Sequence, residues 1–528
     1  MTEIDRDKLI HTVESPDEKF LFPFGEQFLW NSLPTGTRVI YPPPPLPEIE
    51  DVDAAIDHAL ENPLGTDPLS AQLQSGMKVT IAFDDISLPL PPMQRPDLRQ
   101  RIIEKVVEQC AANGVDDIHL IAALGLHRRM TPAELRERLG PKLFNTFHPD
   151  RLYNFDAEDI TNVTLLGETD HGEPVELNRR AVECDLLVYV NINLSSMDGG
   201  HKALNTGLAT YRSISNHHNV RTLMECRSYM DPTRSMLHDI CTRMGTVVRE
   251  HMNCFHIETT LNTATFPKFF GFLEKHEKNW NSWDKINFQT NRLSLEAIPY
   301  EARRRILQGM RAPYGMTGIH AGDVDLVHER TLANIFKQQC VPVKGQSDIV
   351  IAGLPYIGPY NVNSIMNPIL AWVMSVGYCF NMYRNKPLVR QGGVLIFMHP
   401  LHYKFNEKHH PSYIEFFERV LPETRDATEM ERKYEAEFAC NPRYVDAYRH
   451  GYAYHGAHPF YMWYWGIYAA EWASKIIFVK GNHKAASRLG FNTAPSLQAA
   501  IEKAKDSVGQ NPSISYFHWP PLFICDVE

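Results

Sequence analysis

The sequence predicts an α/β protein of two domains, each with a largely parallel sheet and flanking helices, the N-terminal one Rossmann-like. Length is the first reason: 528 residues exceed what one compact core usually organises. The second is order, because short apolar runs alternate with segments of helical period, as strand–helix–strand units require. The third is placement. Polar and glycine-containing strings follow the apolar runs, where open parallel sheets carry their ligands.

Residues 1–75 read as an N-terminal extension. Its string Tyr41-Pro42-Pro43-Pro44-Pro45-Leu46-Pro47 must run extended, because each proline fixes φ and restricts its predecessor. It serves either as a strap across its own domain or as a ligand for another protein. A short helix is expected over 51–60. Residues 78–83 form the first strand, and 99–112 place Ile102, Ile103, Val106, Val107 and Cys110 on one helical face until Asn113-Gly114 stops it. A second strand covers 117–124. Thr131-Pro132-Ala133-Glu134 supplies a capping threonine, a proline in first helical position and a glutamate three residues past the cap. A buried strand over 185–190 leads into a polar loop, 191–202. The cofactor-binding domain is expected to span 76–310. A second domain, 311–528, closes over the substrate site, with strands at 348–353, 393–398 and 475–479 and a helix at 496–507.

Composition narrows the function. Hydrophobic and charged shares of 43% and 22% are ordinary globular values, and the net charge of -10 disfavours a non-specific nucleic-acid binder, which needs cations. No apolar run is long enough to span a membrane; residues 460–473 are too few, and Glu471 interrupts them. Nine cysteines, an odd number with no CxxC pair, point to free thiols and a cytoplasmic location. The expected partner is a small molecule, with oligomeric state left open.

Four strings offer chemistry. Asp84-Asp85-Ile86-Ser87 is either a carboxylate-and-hydroxyl site at a strand end or a turn whose side chains cap backbone N–H groups. In Gly125-Leu126-His127-Arg128-Arg129, the glycine allows a tight turn and His127 can exchange a proton near neutrality; a histidine leading into a helix with solvated arginines is the bland reading. Asp198-Gly199-Gly200-His201-Lys202 joins a flexible backbone to an amine. It is no P-loop, since Ala203 follows the lysine, and a glycine turn with a surface lysine is its plain reading. Asn216-His217-His218-Asn219 sets two imidazoles side by side, suited to nickel among other metals or to ordinary helix-end polarity.

In order and spacing these strings resemble the lactate racemase N-terminal family, a group of nickel-pincer enzymes. Asp85-Ile86-Ser87-Leu88-Pro89 stands where that family has Asp-X-Thr-Arg-Pro. Gly125-Leu126-His127-Arg128 matches its Gly-Thr-His-Arg, and Gly172-Glu173-Pro174-Val175-Glu176-Leu177-Asn178 matches its Gly-X-Pro-Val-X-Leu-Asn. Gly199-Gly200-His201-Lys202 matches its Gly-Gly-X-Lys. The resemblance is good over 76–220.

It implies a pyridinium-3,5-dithiocarboxylate mononucleotide, the nickel-pincer nucleotide, attached through Lys202. Asp85, Ser87, Gly199 and Gly200 become cofactor contacts, and His218 the nickel ligand, with His217 the alternative. His127 is implied as one of two proton-exchanging histidines. The implied activity is racemisation or epimerisation of a 2-hydroxy acid or related alcohol by hydride transfer to and from the cofactor. The alternative is a non-catalytic homologue that keeps only a nucleotide or cofactor pocket. Three positions depart from the family. Ile192 replaces the second histidine, Leu88 replaces a substrate-binding arginine, and a Tyr-Gln-X-X-Lys string is absent around 363–371. His171, His201, Asp198 and the histidines between His399 and His402 are candidates for the missing base. The aromatics Tyr356, Tyr360, Tyr378, Tyr461, Trp463 and Trp465 either line a pocket or fill the core.

Overall fold

The computed structural model describes residues 6–87 and 91–528; Leu88 lies outside them. Two sheets organise the chain. The first has six strands in the order Met316–Gly322, Cys254–Leu261, Leu186–Asn193, Lys78–Asp84, Asp117–Ala123, Leu152–Asn154, all parallel except the antiparallel edge Met316–Gly322. The second orders Ile10–Thr12, Arg38–Ile40, Ile514–Phe517, Ser347–Pro355, Val389–Met398, Lys475–Val479 and Asn492–Ala494, with the hairpin Lys19–Gly25/Gln27–Ser32 added beside Ser347–Pro355. This is the expected α/β class with largely parallel sheets.

Central strands are apolar for a physical reason. Leu186–Asn193 is buried along its whole length, and a parallel strand covered by helices on both faces needs side chains that tolerate burial on each. The strand runs past the expected end at Val190. Asn191, Ile192 and Asn193 pair with Glu258, Thr259 and Thr260, so three residues expected in the loop are held by ladder bonds. The capping box at Thr131 forms as predicted: Glu134 N–H donates to Thr131 Oγ1, and Glu134 accepts from Thr131 N–H.

Partition of the chain differs from the sequence expectation. Met316–Gly322 extends the first sheet, and helix Val324–Gln339 packs on that strand and its neighbour, so first-sheet material continues beyond residue 310. Strand Arg38–Ile40 of the N-terminal segment pairs with Ile514–Phe517 in the second sheet. The proline-rich stretch then crosses to the first: Leu46 N–H donates to Gln338 Oε1 (2.8 Å) and Leu46 C=O accepts from Asn262 Nδ2 (2.9 Å). The stretch therefore lies along its own chain as a strap.

Helix His458–Trp472 decides how the halves meet. It is apolar on every side over most of its length and is buried from His458 to Ile467, and it packs on helix Val220–Glu225 from the first half. No helix among the described residues is long and apolar enough to cross a membrane.

Candidate active site

The site forms at the carboxyl ends of strands Lys78–Asp84, Asp117–Ala123 and Leu186–Asn193. Gly125 turns the chain with φ +54°, and a Cβ there would sit 2.3 Å from the Thr206 carbonyl oxygen. Only glycine lets this turn approach that backbone. The second half clamps the turn: Tyr448 hydroxyl donates to Gly125 C=O (2.7 Å), and His455 N–H donates to Leu126 C=O (3.1 Å). His127 is thereby set against Asp85, with Nδ1 3.1 Å from Asp85 Oδ2.

Asp85 is buried and accepts from Ser87 N–H and Ser87 Oγ. Burial favours its neutral acid, but the His127 ring and the Ser87 donors outweigh burial and hold the carboxyl below its ordinary range. An ionised carboxylate only accepts, so the facing Nδ1 carries a proton and Nε2 is the His127 nitrogen turned away from Asp85. Of the implied cofactor contacts, Asp85 is engaged with Ser87 and His127, and Ser87 with Asp85.

The glycine loop makes the next wall. Gly199 and Gly200 have φ +85° and +58°. A Cβ on Gly199 would lie 2.2 Å from Asn193 Nδ2, and one on Gly200 would lie 2.9 Å from His328 Cδ2. The Gly200 N–H donates to Glu258 Oε1 (2.6 Å). These glycines pack the loop against Glu258 and His328, and the Gly200 donor is committed to Glu258. Helix Gly200–Gly207 starts here with Lys202 in its first turn; Lys202 Nζ donates to Met197 C=O (2.9 Å), lies 3.9 Å from Asp198 Oδ1, and its side chain is 18% exposed. Beside the loop, Asn191 Oδ1 and Asn193 Oδ1 are buried without a hydrogen-bond partner.

The imidazole pair completes the first-sheet side. His217 Nε2 faces Asn205 C=O at 3.2 Å, and the two Nδ1 atoms of His217 and His218 meet at 2.7 Å. A carbonyl accepts, so His217 carries its proton on Nε2 and its Nδ1 accepts from His218 Nδ1–H. His218 Nε2 is therefore unprotonated. Burial pushes His217 down to about 4. Burial, then the His217 ring, the Lys202 ammonium and His127, pull His218 well below the ordinary histidine value. Both rings are neutral. Asn205 lies on the helix that carries Lys202, so the histidine pair is tied to the same helix as the amine. Tyr461 and Trp465 flank His218, with ring centroids at 5.5 and 5.6 Å.

Of the residues that face His127 from the second half, sequence reasoning named Tyr360 as a possible pocket aromatic and missed His458 and Tyr454. Tyr360 and His458 lie with ring centroids 5.1 and 5.5 Å from His127, and Tyr454 at 6.2 Å. The Tyr360 and Tyr378 hydroxyls are 3.1 Å apart, and His458 Nδ1 is 2.5 Å from the Tyr413 hydroxyl. No spacing in the chain links residues 127 and 458; the one local signal is a histidine opening an all-apolar helix. The earlier candidates for a second base lie elsewhere or are engaged. His201 binds Asp325, His399 Nδ1 accepts from Leu401 N–H, His402 faces Glu26, and His171 is exposed. Asp198 accepts from Ser195 next to Lys202. Ile192 is buried, its N–H donated to Asp84. Asn363 binds Glu134, which pairs with Arg128. Of the aromatics, Trp463 stacks on Trp372 in the core.

Fold and site together define a two-sheet α/β protein whose amine and imidazoles gather at the carboxyl edge of a parallel sheet, under aromatic cover from the second half. Residues 24–231 match the model of the lactate racemase N-terminal domain. The chain is similar to the lactate racemase of Thermoanaerobacterium thermosaccharolyticum, 27% identical over 168 residues, and to that of Lactiplantibacillus plantarum, 23% identical over 167 residues. Each match covers 31% of this chain and 37% of the relative, so the chain matches little more than a third of the curated relatives' length. The fold is shared more widely. The lactate racemase apoprotein structure from T. thermosaccharolyticum superposes with TM-score 0.63 at 17% identity, covering 96% of this chain and all (100%) of that one. A Thermotoga maritima structure gives 0.54 at 12% identity, covering 92% and 100%.

Proposed function

We propose that the protein is a nickel-pincer enzyme that racemises or epimerises a 2-hydroxy acid or a related alcohol. One observation carries the reading: the helix that carries Lys202 in its first turn binds, through the Asn205 carbonyl, a histidine pair whose internal hydrogen bond leaves His218 Nε2 bare. Among the described residues, no three His, Cys, Asp or Glu side chains are grouped to hold a metal by themselves. A metal there needs further donors from a bound organic group, and the residues fit one. Lys202 offers an amine for covalent attachment, His218 a neutral ligand of the type nickel accepts, and Asn191 and Asn193 offer unpartnered buried oxygens.

When bound, the cofactor supplies a hydride acceptor and donor. The protein's own residues do the rest. His127 Nε2 takes the proton of the substrate hydroxyl, and the buried Asp85 carboxylate stabilises the imidazolium that results. Tyr360, Tyr454, Tyr461 and Trp465 restrict water at the reacting carbon. Leu88, where the family carries an arginine, suits a substrate held without a bidentate carboxylate clamp.

The test is protein produced together with the cofactor-synthesis enzymes, followed by intact mass and metal analysis. A mass adduct with stoichiometric nickel, both lost in Lys202→Ala, is expected. Neither adduct nor nickel in the unaltered protein would refute the reading and favour a non-catalytic binding homologue.

A further inference from the structure

Racemisation needs a proton acceptor for each enantiomer, and the family's second histidine is Ile192 here, a side chain that moves no proton. The second half supplies an imidazole at the right place. His458 opens helix His458–Trp472, is buried, and stands edge-to-face with His127 at 5.5 Å between ring centroids. Two rings at that separation can each bring a nitrogen within about 3 Å of one shared hydroxyl oxygen, the reach proton transfer requires.

We propose that His458 is the second catalytic base, paired with His127 and oriented by Tyr413; this rests on the racemase reading above. The Tyr413 hydroxyl, 2.5 Å from His458 Nδ1, is assigned as acceptor of the Nδ1 proton, leaving Nε2 free. In the step, the substrate O–H bond breaks and its proton passes to His458 Nε2. The cofactor, when bound, would accept the C–H hydrogen with its electron pair as hydride, while the substrate oxygen becomes a carbonyl. That proton then passes from His458 to the neighbouring His127 ring, 5.5 Å away between centroids, and His127 would return it to the oxygen as the bound cofactor gives hydride back to the opposite face; the reverse direction exchanges the roles. Burial, reinforced by His127, His410, His218 and His455, lowers the proton affinity of His458 well below the ordinary value, so the resting ring is neutral. Because His127 and His458 come from different halves of the chain, the base pair exists only when the halves are docked.

The experiment uses cofactor-loaded protein in single turnover with the separate enantiomers of lactate, malate and mandelate, read by the cofactor's absorbance and by intact mass. With any pair the unaltered protein accepts, His458→Gln is expected to slow reaction of one enantiomer by about 10²–10⁴-fold and His127→Gln to slow the other, each with the Lys202 adduct retained. Equal slowing of both enantiomers by His458→Gln, or no slowing, overturns the assignment and leaves the racemase reading standing. An adduct-bearing unaltered protein that reacts with no enantiomer overturns it too, whereas absence of the adduct removes the racemase reading first. A readout independent of turnover is the ¹⁵N spectrum of histidine-labelled apoprotein. The His458 signal, identified by its loss in His458→Gln, is expected to report a neutral ring protonated on Nδ1, with that preference weakened in Tyr413→Phe. A ring protonated on Nε2 alone overturns the proposal.

Discussion

His217 and His218 meet through their Nδ1 atoms at 2.7 Å, while His217 Nε2 donates to the Asn205 carbonyl. The chain of donors runs in one direction, so the ring at its far end, His218, is the one with a free nitrogen. His217 has both nitrogens in use. In cofactor-loaded protein, His218→Ala is therefore expected to lose most of its nickel on dialysis. His217→Ala should bind more weakly by about 10–100-fold, the usual effect of losing an orienting partner. Metal content after dialysis, by mass spectrometry, decides the order; the reverse order would make His217 the ligand.

Asp85 holds the proton of His127 on Nδ1. His127→Ala is expected to lower turnover about 10²–10⁴-fold with the adduct intact by mass; loss of the adduct would reassign His127 to cofactor attachment. Asp85→Asn should lower kcat while KM changes little, because the ring is misoriented but not removed. The carboxyl is held below its ordinary value of about 4, so its pairing stabilises the fold fully above that pH. That stability is lost as pH falls further. The stability gap between the unaltered protein and Asp85→Asn should therefore narrow below pH of about 4, as chemical denaturation will measure.

The Gly125 turn admits no side chain. Gly125→Ala places a methyl against the Thr206 carbonyl at a left-handed φ. A cost of about 1–3 kcal/mol is expected from the backbone alone. Thermal unfolding should show it, together with reduced turnover, because the same turn delivers His127.

Glu435 joins the two halves. Its carboxylate oxygens accept from Tyr211 of the first half and from Tyr461 and Tyr464 of the second. Burial raises its carboxyl to about 7. A raised acid stabilises the fold below its unfolded value and loses that contribution as pH rises through the folded one. The unaltered protein should thus lose up to about 3 kcal/mol from this group between pH 4.5 and 7. Glu435→Gln should flatten that part of the stability–pH curve. An unchanged curve would show that Glu435 is ionised in the fold at all these values.

Much of the first sheet was legible because its signals are local. Alternating apolar runs and helical faces, the Thr131 capping box and the glycines before His127 and Lys202 each depend on residues a few positions apart, and each appears where expected. The element ends were less legible. Asn191 to Asn193 look like loop residues by type, yet neighbouring strand Cys254–Leu261 supplies the bonds that keep them in the ladder. Met316–Gly322 reads as the start of a second domain until its antiparallel pairing is seen.

By itself the sequence determined the layered α/β class, the polar strings at strand ends and the resemblance that singles out Lys202, His127 and the histidine doublet. Period, capping and motif order are properties of a chain read along its length. Only the tertiary structure decided that His218 rather than His217 has the free nitrogen, that Asp85 serves His127, and that His458 stands opposite it. Those outcomes depend on which atoms face each other across residues 127 and 458, and burial, not spacing, selects the facing pair.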